Sequence, residues 1–318
     1  MSFADFLKLG VAAAIVSTLG SLIALFIKEY FLTMHFERKR EKKTIDLLFN
    51  KYRDPIMLAA MEYAKRLIEI YNGFPTEYLK KDILKVKPGS LTRNSAHDEH
   101  YLRYKLISTC YRMSALLGWL ELYRQEITFL RSSNTKRNKE LETCLDKLKN
   151  VLADGHIIQF DDWQDWGDYL IFREEQRAIG EFMIVNKGDS KGVMGFLKYV
   201  AYFSDKEKLK EHDALTTVIN FNTDFKEGQD FRHWRYYFIL MHMKELLILL
   251  DPVGSATMVS RIDVVLKQKE DDPVVLAYHE YLIYNVESTL PNPHREINDK
   301  IIPEEQRRAY DESASDEE

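Results

Sequence analysis

The hydrophobic pattern of this chain is strongest near its start. Residues 9–27 (LGVAAAIVSTLGSLIALFI) contain no charged side chain, and their polar side chains are Ser17, Thr18 and Ser21. A helix over this run is about 28 Å long, close to the roughly 30 Å of a bilayer's hydrocarbon core. A helix that packs on the core of a soluble protein would instead have a polar residue every three to four positions, which together form one polar face. The pattern therefore predicts a transmembrane helix over residues 9–30, in contact with the lipid bilayer.

The flanks of this run help to distinguish an anchor from a cleaved signal sequence. A signal sequence has a shorter apolar region, a basic start and a cleavage site between small residues. This chain begins MSFADFLK and continues after the run as KEYFLTMHFERKREKK, which lacks such a site. Basic flanks stay in the cytoplasm, so we expect residues 1–8 outside the cell (inner) membrane and a basic helical stalk, residues 31–53, inside. A signal sequence and a buried core helix are the alternatives.

Small residues recur at helical spacing within the predicted span. Ala13, Ser17 and Ser21 lie four residues apart, as do Gly20 and Ala24. In lipid, small side chains let two helices approach closely and pack. The face formed by the first three is therefore a candidate surface for span packing and self-association, although small residues are also common in membrane spans.

The longest soluble helix is predicted from about Asp98 to Arg131. Its apolar residues recur in alternating steps of four and three, with Thr109 filling one place. The stripe comprises Leu102, Leu106, Met113, Leu116, Leu120, Tyr123, Ile127 and Leu130. It is either the spine of a helical bundle or a surface for self-association or a partner helix.

The remaining pattern also predicts helices. Asp54-Pro55 combines an N-cap residue with proline at the first helical position, which predicts a new helix there. Further helices are predicted over residues 77–85, 139–152, 169–185, 193–203, 206–221, 231–250, 256–269 and 273–288. We find no strand alternation of useful length. The expected fold is all-α, with one N-terminal transmembrane helix, a cytosolic multi-helix bundle domain over residues 54–289 and a disordered acidic tail over 290–318.

Composition and charge narrow the class of protein. Hydrophobic residues make up 45% and charged residues 30% of the chain, which is typical of a globular domain. The net charge of −5, with basic residues interleaved among acidic ones, argues against nucleic-acid binding by counterion release. Cys110 and Cys144 lie in predicted helices without a CxxC partner, so we expect two reduced thiols packed inside the domain.

Three blocks of the chain carry a resemblance to known sequences. They are YRDPIMLAA (residues 52–60), ALLGWLELYRQEITFL (115–130) and FREEQRAIGEFMIV (172–185). They resemble blocks in a group of uncharacterised bacterial membrane-anchored helical proteins, over roughly residues 50–190. The resemblance implies a helical domain and brings no activity, cofactor or partner with it.

A candidate polar ligand face lies on the helix that contains FREEQRAIGEFMIV. Its polar side carries Arg173, Glu174, Arg177 and Glu181. Glu174 and Arg177 are three residues apart, and Arg177 and Glu181 are four apart, which are ion-pair spacings. If this side faces other helices it becomes a buried polar network, and such networks occur both at ligand or anion sites and as purely structural features.

Two groups of possible metal ligands have weaker patterns. The acidic group comprises Asp161, Asp162, Asp165 and Asp168, followed by Glu174 and Glu175. It lacks the spacing of a calcium-binding loop, and a solvated loop explains it as well. His97 and His100 are three apart rather than the four of a zinc helix, and a third ligand such as His156 would have to come from elsewhere. We therefore expect no metal site.

The stretch FRHWRYYF places Arg232, His233 and Arg235 among aromatic residues. Such a composition can bind single-stranded nucleic acid. On a helix, it is more typical of core aromatics with a rim of basic side chains that reach solvent. We therefore expect no nucleic-acid partner.

No motif points to a known reaction, since the chain has no GxSxG, Walker A, GxGxxG or kinase signature. We expect no cofactor and, without a recognised site, no enzyme. The first hypothesis is a single-pass, membrane-anchored interaction or scaffold module that binds a protein partner or another copy of itself. The alternatives are a ligand-responsive membrane sensor or effector that uses the polar face, and a membrane-tethered enzyme built on Asp161, Asp165, His97 or His156.

Overall fold

The computed structural model shows a chain that is mostly α-helical, which confirms the predicted all-α class. It describes residues 3–72, 78–85, 99–127, 136–155, 170–188, 190–203, 209, 211–225 and 231–282. The predicted tail lies outside these ranges.

Nine α-helices are described along the chain. They are α1 (Phe3–Tyr71), α2 (Glu99–Ile127), α3 (Lys136–Ala153), α4 (Arg173–Met183), α5 (Phe196–Phe203), α6 (Asp213–Asn222), α7 (Phe231–Leu250), α8 (Ala256–Leu266) and α9 (Pro273–Leu282). A 3₁₀ turn (Lys81–Lys85) precedes α2, and strands β1 (Ile184–Lys187) and β2 (Ser190–Val193) follow α4. Helix α7 has the predicted bounds. Helix α6 begins at Asp213, inside the helix predicted over residues 206–221, of which residues 206–208 and 210 lie outside the described part of the chain.

Helix α1 is longer than predicted, because no new helix begins at Asp54-Pro55. Pro55 lies inside α1, which runs unbroken from Phe3 to Tyr71. Proline removes the hydrogen bond to the carbonyl of Lys51 and costs about 3 kcal/mol inside a helix. Lys51 is exposed, so water can solvate that carbonyl, while Tyr52 and Ile56 on either side are buried in the core. Burial of this continuous face offsets the lost hydrogen bond.

Buried residues on α1 also begin earlier than the sequence suggested. Ile45 and Phe49, which fall in the predicted stalk, are 2% and 4% exposed. The part of the stalk with exposed side chains is therefore short, and the helical domain begins close to the apolar N-terminal run.

Helices α1 and α2 pack antiparallel and carry the core between them. Lys51 pairs with Glu126 (2.9 Å) near one end, and Arg66 Nη2 donates to Ser108 Oγ (3.0 Å) towards the other. The α2 stripe faces this interior, with six of its positions buried: Leu106, Thr109, Met113, Leu116, Leu120 and Tyr123. The bundle-spine interpretation is therefore confirmed for these residues. Leu130 lies outside the described part of the chain.

A short β-hairpin replaces the end of the predicted helix over residues 169–185, so the expectation of no strand was wrong. Helix α4 ends at Met183, and β1 pairs antiparallel with β2, Ile184 opposite Val193. Gly188 at the turn has a φ of 62°, a conformation that glycine adopts without steric cost. Val193 is buried against Gly118 of α2, so packing on α2 stabilises a hairpin too short to persist alone.

Close contact between α2 and α4 depends on two glycines. A Cβ atom added to Gly180 would lie 2.5 Å from the Cβ of Glu121 and 2.9 Å from the carbonyl oxygen of Leu117. A Cβ atom added to Gly118 would lie 2.8 Å from the Cβ of Met183. The absence of side chains at both positions lets α4 lie directly on α2.

The two cysteines are free and buried, as expected. Burial raises the pKa of both the Cys110 and Cys144 thiols to about 12. Both are therefore protonated and unreactive near neutral pH.

The N-terminal part of α1 has the properties of a membrane span. Within the described residues, Val16–Glu37 is long and apolar enough to cross a bilayer, with a mean hydropathy of 1.3, and none of it is buried. A signal sequence near the N-terminus can also meet this length and hydropathy criterion, so the criterion alone does not establish an anchor. Ser17 and Ser21 are exposed, and Ser21 Oγ donates to the Ser17 carbonyl (2.9 Å). The side chain of Ala13 lies outside the described residues.

Candidate ligand-binding site

The predicted polar face contributes two of its four residues to a pocket between α2, α3 and α4. The cavity itself is small, with a volume of about 40 Å³, and it opens to solvent. The polar residues lining it are Glu121, Arg124, Lys149, Arg173, Gln176 and Arg177. Glu174 and Glu181 are exposed and lie outside this lining.

Helix α4 brings its residues into the pocket by its spacing and its first turn. Arg173, Gln176 and Arg177 are three and four residues apart and therefore share one face. The start of α4 is held by a hydrogen bond from the Phe172 backbone N–H to Glu175 Oε2 (2.7 Å). The close approach at Gly180 then holds this face against Glu121 of α2, and α3 supplies Lys149 from the third side.

Four cationic side chains and one carboxylate line the pocket, and the carboxylate is already paired. Glu121, which is 4% exposed, accepts hydrogen bonds from Arg124 Nε (2.7 Å) and Nη2 (2.6 Å) and from Gln125 Nε2 (3.0 Å). The hydrogen bond to Glu121 raises the pKa of Arg124 despite its partial burial, and Glu181 adds to the rise. The remaining cations, Lys149, Arg173 and Arg177, dominate the pocket's charge.

The pairs that Arg173 and Arg177 make are long and solvent-exposed. Arg173 Nη1 lies 3.7 Å from Asp146 Oδ1, and Arg177 Nη1 lies 4.0 Å from Glu174 Oε1. Arg173 also donates to Asn150 Oδ1. Exposed ion pairs of this kind contribute about 0–1 kcal/mol. An anion can therefore recruit both guanidinium groups at small cost.

Lys149 is the most enclosed of the three cations, with a side chain 28% exposed. Its Nζ lies 3.6 Å from Asp146 Oδ1, beyond the reach of a strong hydrogen bond. Burial lowers the pKa of Lys149, and the positive charges of Arg173 and Arg124 lower it further, against the opposing effect of Asp146. The environment of Lys149 therefore disfavours its ammonium form relative to that of a lysine in water.

Gln176 presents a buried hydrogen-bond acceptor in the pocket. The residue is 4% exposed, and its Nε2 donates to the carbonyls of Lys149 (2.9 Å) and Ile171 (2.8 Å). Two carbonyl acceptors fix the orientation of the amide, because only NH₂ can donate to both. Its Oε1 has no hydrogen-bond partner among the described residues. A buried acceptor costs about 1–3 kcal/mol if unsatisfied, so this position favours a donor from a ligand or a water.

A deeper, apolar cavity adjoins the pocket. It shares Leu117, Leu120, Lys149 and Gln176 with the pocket and continues towards α1, where Tyr63 lines it. Tyr63 is 2% exposed, and its hydroxyl has no partner in the described part of the chain. Helix α1 therefore reaches the wall behind the pocket.

A second buried polar cluster lies on the other side of α3. His242 of α7 is fully buried, with Nε2 2.7 Å from the Tyr278 hydroxyl and Nδ1 3.2 Å from Glu245 Oε2. A carboxylate only accepts, so Nδ1–H donates to Glu245 and the Tyr278 hydroxyl donates to Nε2. Lys147 pairs with the same carboxylate (3.2 Å). Burial lowers the pKa of His242 despite the opposing effect of Glu245.

The basic residues of FRHWRYYF have a structural role, and the expectation that they form a rim reaching solvent was wrong for the two arginines. Arg232 and Arg235 are 4% and 3% exposed. Arg232 donates to the carbonyls of Asn220 (2.7 Å) and Thr223 (2.6 Å) at the end of α6. Arg235 donates in the same way to carbonyls at the end of α3, including that of Asp154 (2.9 Å). Both therefore satisfy helix-end carbonyls.

The possible metal ligands fall mostly outside the described residues. His97, His156, Asp161, Asp162, Asp165 and Asp168 all lie there. Within the part of the chain that the structure describes, no group of three or more His, Cys, Asp or Glu side chains converges on one point.

Sequence reasoning identified Arg173 and Arg177 but missed Arg124, Lys149 and Gln176. Gln176 carries a usable signal, since it is a polar residue on the buried side of an amphipathic helix. Lys149 and Arg124 carry none, because only the packing of three helices brings them to α4.

Comparison with known proteins gave no relative. No family model, no curated protein and no solved structure matches the chain.

Proposed function

We propose that this protein is a membrane-anchored, ligand-responsive sensor or effector whose helical domain binds a small anionic ligand. The observation that carries the proposal is the pocket lined by Lys149, Arg173 and Arg177, whose one carboxylate, that of Glu121, is already paired. Charge-assisted hydrogen bonds from arginine to a carboxylate or phosphate are short and strong. The sequence hypothesis of an anion site on this face supplies two of the residues.

The anchor is part of the same proposal. Val16–Glu37 has the length and composition of a span, and the basic residues that follow it favour a cytoplasmic location for the domain in the cell (inner) membrane. The protonated, buried thiols of Cys110 and Cys144 suit a reducing compartment.

A continuous helix supports coupling between the pocket and the membrane. The same α1 that contains Val16–Glu37 carries Tyr63 to the wall of the apolar cavity behind the pocket. We expect a ligand that draws α3 and α4 together to press on that wall, and α1 to carry the displacement towards Val16–Glu37.

Anion binding is tested by thermal unfolding of the full-length protein in detergent with phosphate, sulfate, acetate, lactate or citrate, each compared with chloride at equal ionic strength. A bound ligand at about one hundred times its Kd stabilises the folded state by about 2.7 kcal/mol. We expect at least one anion to raise the Tm, and the double variant Arg173→Gln/Arg177→Gln to lose the rise.

The matched control is Arg53→Gln, which removes an exposed arginine paired with Asp54 on α1, away from the pocket. It should keep the rise of the wild type. An equal rise in all three proteins would place anion binding elsewhere and refute the proposed site.

Self-association through the span is a second candidate function, in line with an interaction or scaffold module. A Cβ atom added to Gly20 would contact nothing within 4 Å, and Ser17 and Ser21 are exposed beside it. The double variant Ser17→Leu/Ser21→Leu should shift full-length protein in detergent from dimer to monomer by analytical ultracentrifugation. An unchanged mass would exclude this face.

A further inference from the structure

We propose that Lys149 is a reactive amine that captures a small 2-oxo carboxylate as an imine, with Arg173 and Arg177 holding the carboxylate. The inference rests on the proposed function, because it names the ligand class of the same pocket. It goes further in assigning a covalent step to one side chain.

Comparison with Lys147 shows what distinguishes Lys149. The two lysines are two residues apart on α3 and similarly exposed, 23% for Lys147 and 28% for Lys149. Lys147 lies 3.2 Å from the Glu245 carboxylate, whereas Lys149 lies among arginines and 3.6 Å from an exposed aspartate. At nearly equal accessibility, Lys149 therefore has the longer ion pair and shares its pocket with three arginines.

The surroundings of Lys149 are those that activate an amine. A lysine is nucleophilic when neutral, and burial together with neighbouring positive charge favours the neutral form. Burial lowers the Lys149 pKa, Asp146 opposes this effect, and the charges of Arg173 and Arg124 add to the lowering. The carboxylate of Glu121 does not counteract this, because it is engaged by Arg124 and Gln125.

The same surroundings select the ligand. Arg173 and Arg177 are separated by one helical turn and can share one carboxylate. Because Lys149 lines the same pocket, we expect a carbonyl carbon next to that carboxylate to lie within reach of the amine. The cavity has a volume of about 40 Å³ and opens to solvent, which favours the smallest acids of this class. A 2-oxo acid combines both groups on adjacent carbons.

The step balances without an oxidant or a further reactant. The Lys149 nitrogen lone pair forms a C–N bond to the carbonyl carbon, the carbonyl π electrons move to oxygen, and a proton passes from nitrogen to that oxygen. Loss of the hydroxyl group as water, with a second proton, leaves the protonated imine.

The test uses the full-length protein in detergent with pyruvate and sodium cyanoborohydride, which reduces an imine to a stable secondary amine. Peptide mass spectrometry then reports the occupancy of each lysine. We expect Lys149 to be the main adduct site and Lys147 to remain unmodified. Arg173→Gln/Arg177→Gln should lower the Lys149 adduct about tenfold or more, the effect of losing a charge-assisted hydrogen bond.

Two controls separate the imine from anion binding. Lactate has the carboxylate but no carbonyl, so it should compete with pyruvate and form no adduct. Lys149→Arg keeps the positive charge and should retain anion-induced stabilisation while losing the adduct, whereas Lys147→Arg should leave the adduct intact.

The outcomes distinguish the two proposals. If an anion stabilises the protein through Arg173 and Arg177 but pyruvate leaves Lys149 unmodified, the imine inference is overturned and the proposed function stands. If adducts spread evenly over the surface lysines and no anion stabilises the protein, both are overturned.

Discussion

The close packing of α4 on α2 makes Gly180→Ala the sharpest test of this structure. The new methyl group would lie 2.5 Å from the Cβ of Glu121 and 2.9 Å from the carbonyl oxygen of Leu117. Both atoms belong to or are bonded directly to the α2 backbone, so neither can rotate away. The two helices must separate, and Gln176 and Arg177 move with α4.

Two opposing contributions set the size of the effect. Alanine is better than glycine inside a helix by about 1 kcal/mol. Overpacking a well-packed contact costs about 1–3 kcal/mol, and rigid backbone neighbours place this case at the upper end. The expected net loss in the free energy of unfolding is therefore about 2 kcal/mol, or a fall of about 4–8 °C in Tm for a domain of this size.

Thermal unfolding of the full-length protein in detergent, followed by tryptophan fluorescence, measures this loss. Gly20→Ala is the matched control, since it is also a glycine inside a helix but its added Cβ meets nothing within 4 Å. We expect the control to leave the Tm of the domain unchanged, and Gly180→Ala also to weaken anion-induced stabilisation. A Gly180→Ala protein as stable as the wild type would refute the close α2–α4 contact.

The remaining predictions concern the core and the buried polar groups. Leu106 is fully buried, so Leu106→Ala should lower the free energy of unfolding by about 2–5 kcal/mol in a denaturant titration. Leu197 is 86% exposed, so Leu197→Ala should change it by less than about 0.5 kcal/mol. Equal effects of the two substitutions would contradict the bundle-spine assignment. Tyr63→Phe removes a buried hydroxyl without a partner among the described residues and should keep or raise the free energy of unfolding in the same titration. Tyr236→Phe removes the buried hydrogen bond from the Tyr236 hydroxyl to Asn222 Oδ1 (2.8 Å) and should lower it by about 1 kcal/mol. Because the pKa of His242 lies below its ordinary value of about 6.5, the unfolded chain binds that proton more readily. Stability should therefore fall as the pH drops below about 6.5, and His242→Gln should show a smaller fall in a Tm–pH profile; an identical profile would remove His242 as the cause.

The elements that the sequence predicted well are those in which local pattern and tertiary packing agree. The apolar stripe of α2 and the bounds of α7 follow from a helical period that the core then uses. Pro55 shows the opposite case, because the local rule for a helix start is overridden by burial of Tyr52 and Ile56 on one continuous face.

The hairpin and the arginines could not be predicted for a similar reason. Ile184, Val185 and Val193 suit a strand or a helix, and contact of Val193 with Gly118 of α2 stabilises the hairpin. In the sequence, Arg232 and Arg235 resemble basic residues that reach solvent. In the tertiary structure they donate hydrogen bonds to carbonyl groups at the ends of α6 and α3.

The sequence by itself determined the helical class, the apolar run near the start and the placement of Arg173 and Arg177 on one face, since each depends on periodicity along a single segment. The tertiary structure decided that α1 continues past Pro55, that the α2 stripe is core, and that Lys149 and Gln176 complete the pocket. These features depend on which helices meet and how closely. The way in which helices meet depends on the sum of many weak packing contacts between distant segments, and the pattern within one segment does not reveal it.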